Sequence, residues 1–141
     1  MHKIRLRANQ FIYICGKKMR GFRYFLPAFG WFILVTFLLV LPGNDLPKNP
    51  FLTLIHFDKW VHIGLFGVLN FLVIWGWMRK DIFSVNVFIY STVICILYGI
   101  IMEFVQKYFA IERSFDITDI LADIAGAIAG YYVATYLKRK K

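Results

Sequence analysis

Four long apolar runs, separated by short polar stretches, dominate the pattern of hydrophobic and polar positions in this 141-residue chain. The runs extend over residues 25–41, 58–78, 82–104 and 118–137. Each is long enough for an α-helix to cross a hydrocarbon core about 30 Å thick. The pattern therefore predicts an all-α membrane protein in which four transmembrane helices pack as a small bundle.

The segments around these runs divide the chain into three parts. Residues 1–24 form a basic N-terminal segment, residues 25–137 the transmembrane domain, and residues 138–141 a basic tail. The first run ends in Leu41-Pro42-Gly43 without a small-residue cleavage site, so we expect a retained helix and not a signal peptide. Met19 lies just before that helix and is an alternative start to Met1.

Charge and composition decide the class of protein and its orientation. Hydrophobic residues make up 60% of the chain, which excludes an ordinary soluble domain. Thirteen of the 17 Lys and Arg residues lie before the first run, between the second and third runs, or after the fourth. By the positive-inside rule, both termini are predicted to be cytoplasmic in a multi-pass plasma-membrane protein. Because the net charge of +9 flanks apolar spans, the expected partner is the bilayer and not nucleic acid.

Polar residues from three segments are predicted to lie near the outer membrane face. They are Asp58, Lys59, His62, Glu103, Gln106, Arg113, Asp116, Asp119 and Asp123. Their spacing places them on common helical faces. Asp116, Asp119 and Asp123 fall at i, i+3 and i+7, Asp58 and His62 form an i,i+4 pair, and Glu103 and Gln106 form an i,i+3 pair. A charge at the bilayer centre costs roughly 2.5–3.5 kcal/mol, so we expect these faces to turn inward and form an outward-facing polar pocket.

Structural roles are an alternative for several of these residues. Lys59 suits an interfacial residue whose ammonium reaches toward the headgroups, and Asp116 suits a helix N-cap. Gly126 and Gly130 form a small-residue face that suits close helix packing, either within the chain or in a homo-oligomer. Glu103 and Asp123 lie where no cap is needed, which favours a functional role.

The chemistry of the predicted pocket admits several functions. Carboxylates with one histidine suit a divalent cation such as Mg²⁺ or Mn²⁺. They also suit acid–base work on a lipid headgroup, with Glu103 or His62 as the base and Lys59 or Arg113 holding a phosphate. Binding of a headgroup or glycan without chemistry is a further alternative. Ion or proton transport ranks lowest, because these polar residues reach about halfway across spans whose inner halves are expected to be apolar.

Four ordered motifs resemble the VanZ-like family over about residues 26–136. The motifs are Asp58-Lys59-x-x-His62-x-x-x-Phe66, Tyr98-x-x-x-x-Glu103-x-x-Gln106, Arg113-x-x-Asp116-x-x-Asp119 and Gly126-x-x-x-Gly130. Asp123 departs from the family pattern, in which asparagine is expected. The resemblance implies a small bacterial integral membrane protein, and the founding member is linked to low-level resistance to teicoplanin.

Together, these features predict a protein that acts on or binds a cell-envelope lipid or lipid-linked wall component, and the family resemblance implies a contribution to glycopeptide resistance. The sequence leaves open whether it is an enzyme, whether it needs a cation and which ligand it takes. The candidate catalytic residues are Glu103, His62, Asp119 and Asp123. The candidate substrate-binding residues are Asp58, Lys59, Gln106, Arg113, Asp116 and Tyr98.

Overall fold

A computed structural model describes residues 21–41, 57–109 and 115–140. After a 3-10 turn at Arg23–Phe25, these residues form four helices: α1 (Leu26–Val40), α2 (Phe57–Arg79), α3 (Val85–Phe109) and α4 (Ile117–Arg139). The described segments contain no strand, and each helix, α1 together with its preceding turn, is long and apolar enough to cross a membrane. The prediction of a four-helix membrane bundle is confirmed. Expectations for residues 1–20, 42–56 and 110–114, which include Arg113, lie outside the described residues.

The largest difference from the predicted boundaries concerns α3, which begins at Val85 and not at residue 82. The cause is the end of α2, where Ile82 N–H donates to the Trp77 carbonyl at 3.1 Å and Asp81 N–H to the Met78 carbonyl at 3.0 Å. This pair of bonds is the Schellman motif, and Asp81 occupies its left-handed position with a φ of 58°. Ile82 therefore belongs to the helix cap, so it cannot begin the next helix.

The other end of α3 lies at Phe109, beyond the predicted boundary at residue 104. Hydropathy falls there because Glu103, Gln106 and Lys107 are polar. Glu103 and Gln106 are nevertheless buried, and the helix continues through all three residues. The apolar pattern thus ended before the helix did. The predicted limits of the other three runs differ from the helices by one or two residues.

The α2 and α4 helices run parallel and form the closest contact in the bundle. A Cβ atom added to Gly126 would overlap the Ile63 backbone, and one added to Gly130 would overlap the Gly67 carbonyl. Small residues let two helix backbones approach where a larger side chain would hold them apart. Gly126 and Gly130 therefore contact α2 within the same chain.

The remaining helices pack against this pair, and α1 is attached by side-chain hydrogen bonds. Trp31 Nε1 donates to the Leu65 carbonyl at 2.9 Å, and Gln106 Nε2 donates to the Leu39 carbonyl at 2.9 Å. The main apolar core, which includes Val35, Phe66 and Met102, lies between α1, α2 and α3. Many large apolar side chains remain exposed, as expected for a bundle whose outer surface faces lipid.

Candidate functional site

The polar residues at the start of α2 and α4 meet around the Lys59 ammonium. Lys59 Nζ lies 2.8 Å from Asp116 and 3.2 Å from Asp58, and it also donates a hydrogen bond to Asp119. The side chains of Asp58 and Asp116 are 55% and 42% exposed, whereas that of Asp119 is 12% exposed. Lys59 therefore connects the surface of the bundle to its interior.

His62 and Asp123 form a buried pair one turn further into the bundle. His62 Nδ1 lies 2.8 Å from an Asp123 carboxylate oxygen, and the two residues are 4% and 3% exposed. His62 Nε2 lies 4.0 Å from Asp119 Oδ2. The close approach of α2 and α4 at Gly126 brings this pair together, because Gly126 lies one turn after Asp123 on the same face.

The α3 helix contributes Glu103, which is 2% exposed. One of its carboxylate oxygens lies 3.5 Å from the backbone N–H of Asp116, so it adjoins the start of α4. Two other residues of α3 from the predicted site are engaged with α1: Gln106 bonds the Leu39 carbonyl, and the Tyr98 hydroxyl lies 2.9 Å from Thr36 Oγ1. Of the predicted residues on α3, Glu103 is the one directed at the start of α4.

Asp116 has two contacts that sequence reasoning treated as alternatives. Its carboxylate caps α4 by accepting from the Thr118 backbone N–H at 2.8 Å and from the Thr118 hydroxyl at 2.6 Å. The other oxygen of the same carboxylate contacts Lys59. These contacts favour the ionised form, so the hydrogen bond from Lys59, followed by those from Thr118, lowers the Asp116 pKa below its ordinary value.

We call this group the charged cluster. It comprises Asp58, Lys59, His62, Glu103, Asp116, Asp119 and Asp123. Five carboxylates thus surround one lysine and one histidine. In the part of the chain that the structure describes, no group of three or more His, Cys, Asp and Glu side chains could hold a metal ion. The Lys59 ammonium instead lies among three carboxylates, which is a position that a bound cation would otherwise take.

The protein-family model described as VanZ/LLP1 matches residues 4–138, which is nearly the whole chain. The chain belongs to the VanZ/LLP1 family. No curated protein and no solved structure matches it. The family match confirms the resemblance drawn from the ordered motifs.

The VanZ/LLP1 bundle also contains a buried polar contact that the sequence analysis missed. Asn70 is fully buried in α2 and donates to Thr92 Oγ1 at 2.9 Å and to the Ala127 carbonyl at 2.7 Å. Nearer the other end, Trp77 Nε1 donates to Ser91 Oγ at 3.1 Å. The expectation that the inner halves of the spans are apolar is therefore wrong.

Helical spacing contained a signal for Asn70. Asn70 follows His62 by eight residues, about two helical turns, so both side chains lie on the same face of α2. Phe66 occupies the turn between them and is also fully buried. The inward face of α2 thus alternates between polar and aromatic side chains.

Proposed function

We propose that this VanZ/LLP1 family protein binds and acts on a lipid-linked component of the cell envelope at the charged cluster. The cluster faces the extracytoplasmic side of a bacterial plasma membrane, both termini are cytoplasmic, and the activity contributes to teicoplanin resistance. The observation that carries the proposal is the buried His62–Asp123 pair beneath the Lys59 contacts. Ionisable residues inside membrane helices are costly and generally serve a function.

The geometry of the pair suits proton transfer. With Asp123 accepting a hydrogen bond from Nδ1, the opposite ring nitrogen of His62 is the acceptor of the neutral imidazole. That nitrogen faces Asp119 at 4.0 Å. His62 is then the general base, Asp123 orients its ring, and Glu103 and Asp119 are the adjacent carboxylates that exchange protons with the ligand.

Charge indicates which part of the ligand the cluster recognises. The ammonium of Lys59 has three N–H donors, and three carboxylates already surround it, so a phosphate would have to displace one of them. The excess of carboxylates instead favours groups that donate hydrogen bonds, such as the hydroxyls of a glycan or the amine of a peptide. A lipid-linked wall component carries such groups beyond its lipid anchor.

The orientation rests on the basic residues. In the described part of the chain, Arg23, Arg79, Lys80 and the basic residues after Leu137 lie at the bundle end opposite the cluster. Basic residues concentrate on the cytoplasmic side of membrane proteins. The same rule therefore directs the charged cluster outward, toward the compartment in which cell-wall assembly occurs.

The direct test measures binding and turnover of a lipid-linked wall precursor by protein in lipid nanodiscs. We expect native mass spectrometry to detect the precursor on wild-type protein and thin-layer chromatography to detect its conversion. His62→Gln and Glu103→Gln should each reduce conversion by about 10²–10⁴-fold, the usual contribution of a positioned acid or base. Asp81→Asn, at the opposite end, is the matched control and should convert the precursor normally.

The outcomes separate catalysis from binding. Normal conversion by both variants would refute the catalytic roles, whereas binding without conversion by wild type would assign a non-catalytic shielding role. In a teicoplanin-susceptible host, expression of wild-type protein should raise the inhibitory concentration, and His62→Gln should not. Equal inhibitory concentrations with and without wild-type protein would refute the link to resistance.

Proton or ion transport is a second candidate, favoured by the buried Asn70–Thr92 contact below the cluster. The fully buried ring of Phe66 separates the two polar regions, which is why we rank transport second. Flux through liposomes is the test, and transport predicts a flux that Asp123→Asn abolishes. Wild-type liposomes without flux would end this candidate.

A further inference from the structure

The bundle end opposite the charged cluster has the reverse charge. Its described basic residues, which we call the basic end, are Arg23, Arg79, Lys80, Lys138, Arg139 and Lys140. Asp81 is the one acidic residue described there. Every ion pair within 4.0 Å among the described residues involves the charged cluster, so no described carboxylate pairs with a described cation of the basic end.

Aromatic rings position these cations. Lys80 Nζ lies 5.6 Å from the ring centre of Phe25 and 5.3 Å from that of Trp77. Its Cε atom lies where a side chain at position 21 would begin, because a Cβ added to Gly21 would be 2.8 Å away. The Lys80 stem is thus held between α2 and the turn before α1.

Lys138 makes similar contacts with two aromatic residues near the start of α3. Its Nζ lies 5.1 Å from the Phe83 ring centre and 5.8 Å from that of Phe88, and it donates to the Phe83 carbonyl at 3.5 Å. Arg79 lies over Trp75 at 4.7 Å, and Lys140 over Tyr136 at 5.0 Å. Cation–π contacts orient a charge but do not neutralise it.

The N-terminal segment does not supply the missing negative charge. Residues 1–20 contain six Lys and Arg residues and no Asp or Glu. Three of the aromatic residues around the cations, Trp75, Trp77 and Tyr136, are of the types that are enriched at headgroup depth in a bilayer. These cations are therefore available to an anion located at the membrane surface.

We propose that the basic end binds the phosphates of anionic phospholipids, with Lys80 and Lys138 as two anchoring residues. Each lysine holds its ammonium at headgroup depth through an aromatic ring, so an anionic headgroup reaches it without prior ordering of the side chain. Basic sites between transmembrane helices bind such headgroups in other membrane proteins. This site is separate from the charged cluster and does not depend on its function.

The test titrates delipidated full-length protein in detergent with phosphatidylglycerol or phosphatidylcholine and counts bound lipid by native mass spectrometry. We expect phosphatidylglycerol to bind at least tenfold more tightly at low salt. A basic residue near an anionic surface contributes roughly fivefold in affinity, so the Lys80→Gln/Lys138→Gln double variant should lose about 30-fold. Raising the salt concentration should weaken binding by wild type more than by the double variant.

The matched control is Lys107→Gln, at the end that contains the charged cluster. Lys107 also lies over aromatic rings, 5.4 Å from Tyr108 and 5.8 Å from Phe115, so it differs mainly in its position on the bundle. We expect less than a twofold change for this variant and near-normal affinity for Lys80→Arg/Lys138→Arg. Circular dichroism and gel filtration establish that each variant is folded.

Three results would overturn the proposal. The first is equal affinity for the two lipids. The second is a loss in Lys107→Gln as large as that in the double variant. The third is an increase in thermal stability with millimolar inorganic phosphate that matches the increase with phosphatidylglycerol, since the site would then bind a free anion and not a lipid.

Discussion

Replacing His62 with leucine removes the partner of a carboxylate that is 3% exposed and hydrogen-bonded at 2.8 Å. Asp123 would then be a buried charge without its partner, a change that typically costs about 3–5 kcal/mol in the free energy of unfolding. Asp123→Leu should cost about 1–3 kcal/mol, because it leaves the buried N–H of His62 without an acceptor. Each single variant should therefore be destabilised.

The double variant distinguishes a coupled pair from two independent residues. Removing both partners removes the unpaired charge, and replacing both partners of a buried hydrogen bond with apolar groups can be nearly neutral or stabilising. His62→Leu/Asp123→Leu should therefore lie within about 2 kcal/mol of wild type, although the two single losses sum to roughly 4–8 kcal/mol. None of these substitutions removes either partner of the Lys59–Asp119 contact.

Reversible unfolding of the purified protein in mixed micelles, followed by far-ultraviolet circular dichroism, measures all four free energies. Asp58→Asn is the control, because Asp58 contacts Lys59 with a 55% exposed side chain and should cost less than about 1 kcal/mol. Losses below about 1 kcal/mol in both single variants would refute the reasoning. So would a double variant whose loss equals the sum of the two single losses, because the pair would then be uncoupled.

Three further predictions test the packing, the helix cap and the turn. Gly130→Leu should destabilise the bundle by more than about 3 kcal/mol, because the Gly67 carbonyl occupies the space that the new side chain needs. Gly30→Leu is the control in the same unfolding assay and should change stability little, because nothing lies within 4 Å of a Cβ added there. Folding lowers the Asp116 pKa, so the stability that this residue contributes is present above the ordinary aspartate pKa of about 3.9 and is lost as the pH falls below it. Between pH 5 and pH 3, thermal unfolding scans should therefore show a smaller decrease in midpoint for Asp116→Asn than for wild type. Asp81→Gly should raise the thermal midpoint and Asp81→Val should lower it, because a φ of 58° is unfavourable for a β-branched residue.

Much of the fold follows from one physical variable, the length of the apolar runs. A bilayer requires long apolar helices, so the four runs could be assigned without knowing any contact between them. The predicted limits of α3 were wrong because hydropathy does not report backbone conformation or the burial of polar side chains. Asp81 ends α2 through a left-handed turn, and buried Glu103 and Gln106 extend α3 beyond its apolar part.

The candidate site was predictable as a set of residues but not as a set of pairs. Spacing placed Asp119 and Asp123 on one face and predicted that they would meet residues of α2. The particular pairing of His62 with Asp123, and of Lys59 with Asp119, depends on the relative rotation and translation of two helices. Those quantities are set by backbone contacts, which side-chain patterns describe only indirectly.

The glycines of α4 connect the packing of the bundle to the chemistry of the cluster. His62 reaches Asp123 because Gly126 lets the α4 backbone lie against Ile63, the residue that follows His62. A larger side chain at that position would separate the helices and lengthen a hydrogen bond that compensates two desolvated groups. The small-residue face therefore does more than stabilise the bundle: the same contact that brings α2 and α4 together also allows a histidine and a carboxylate to be buried as a pair.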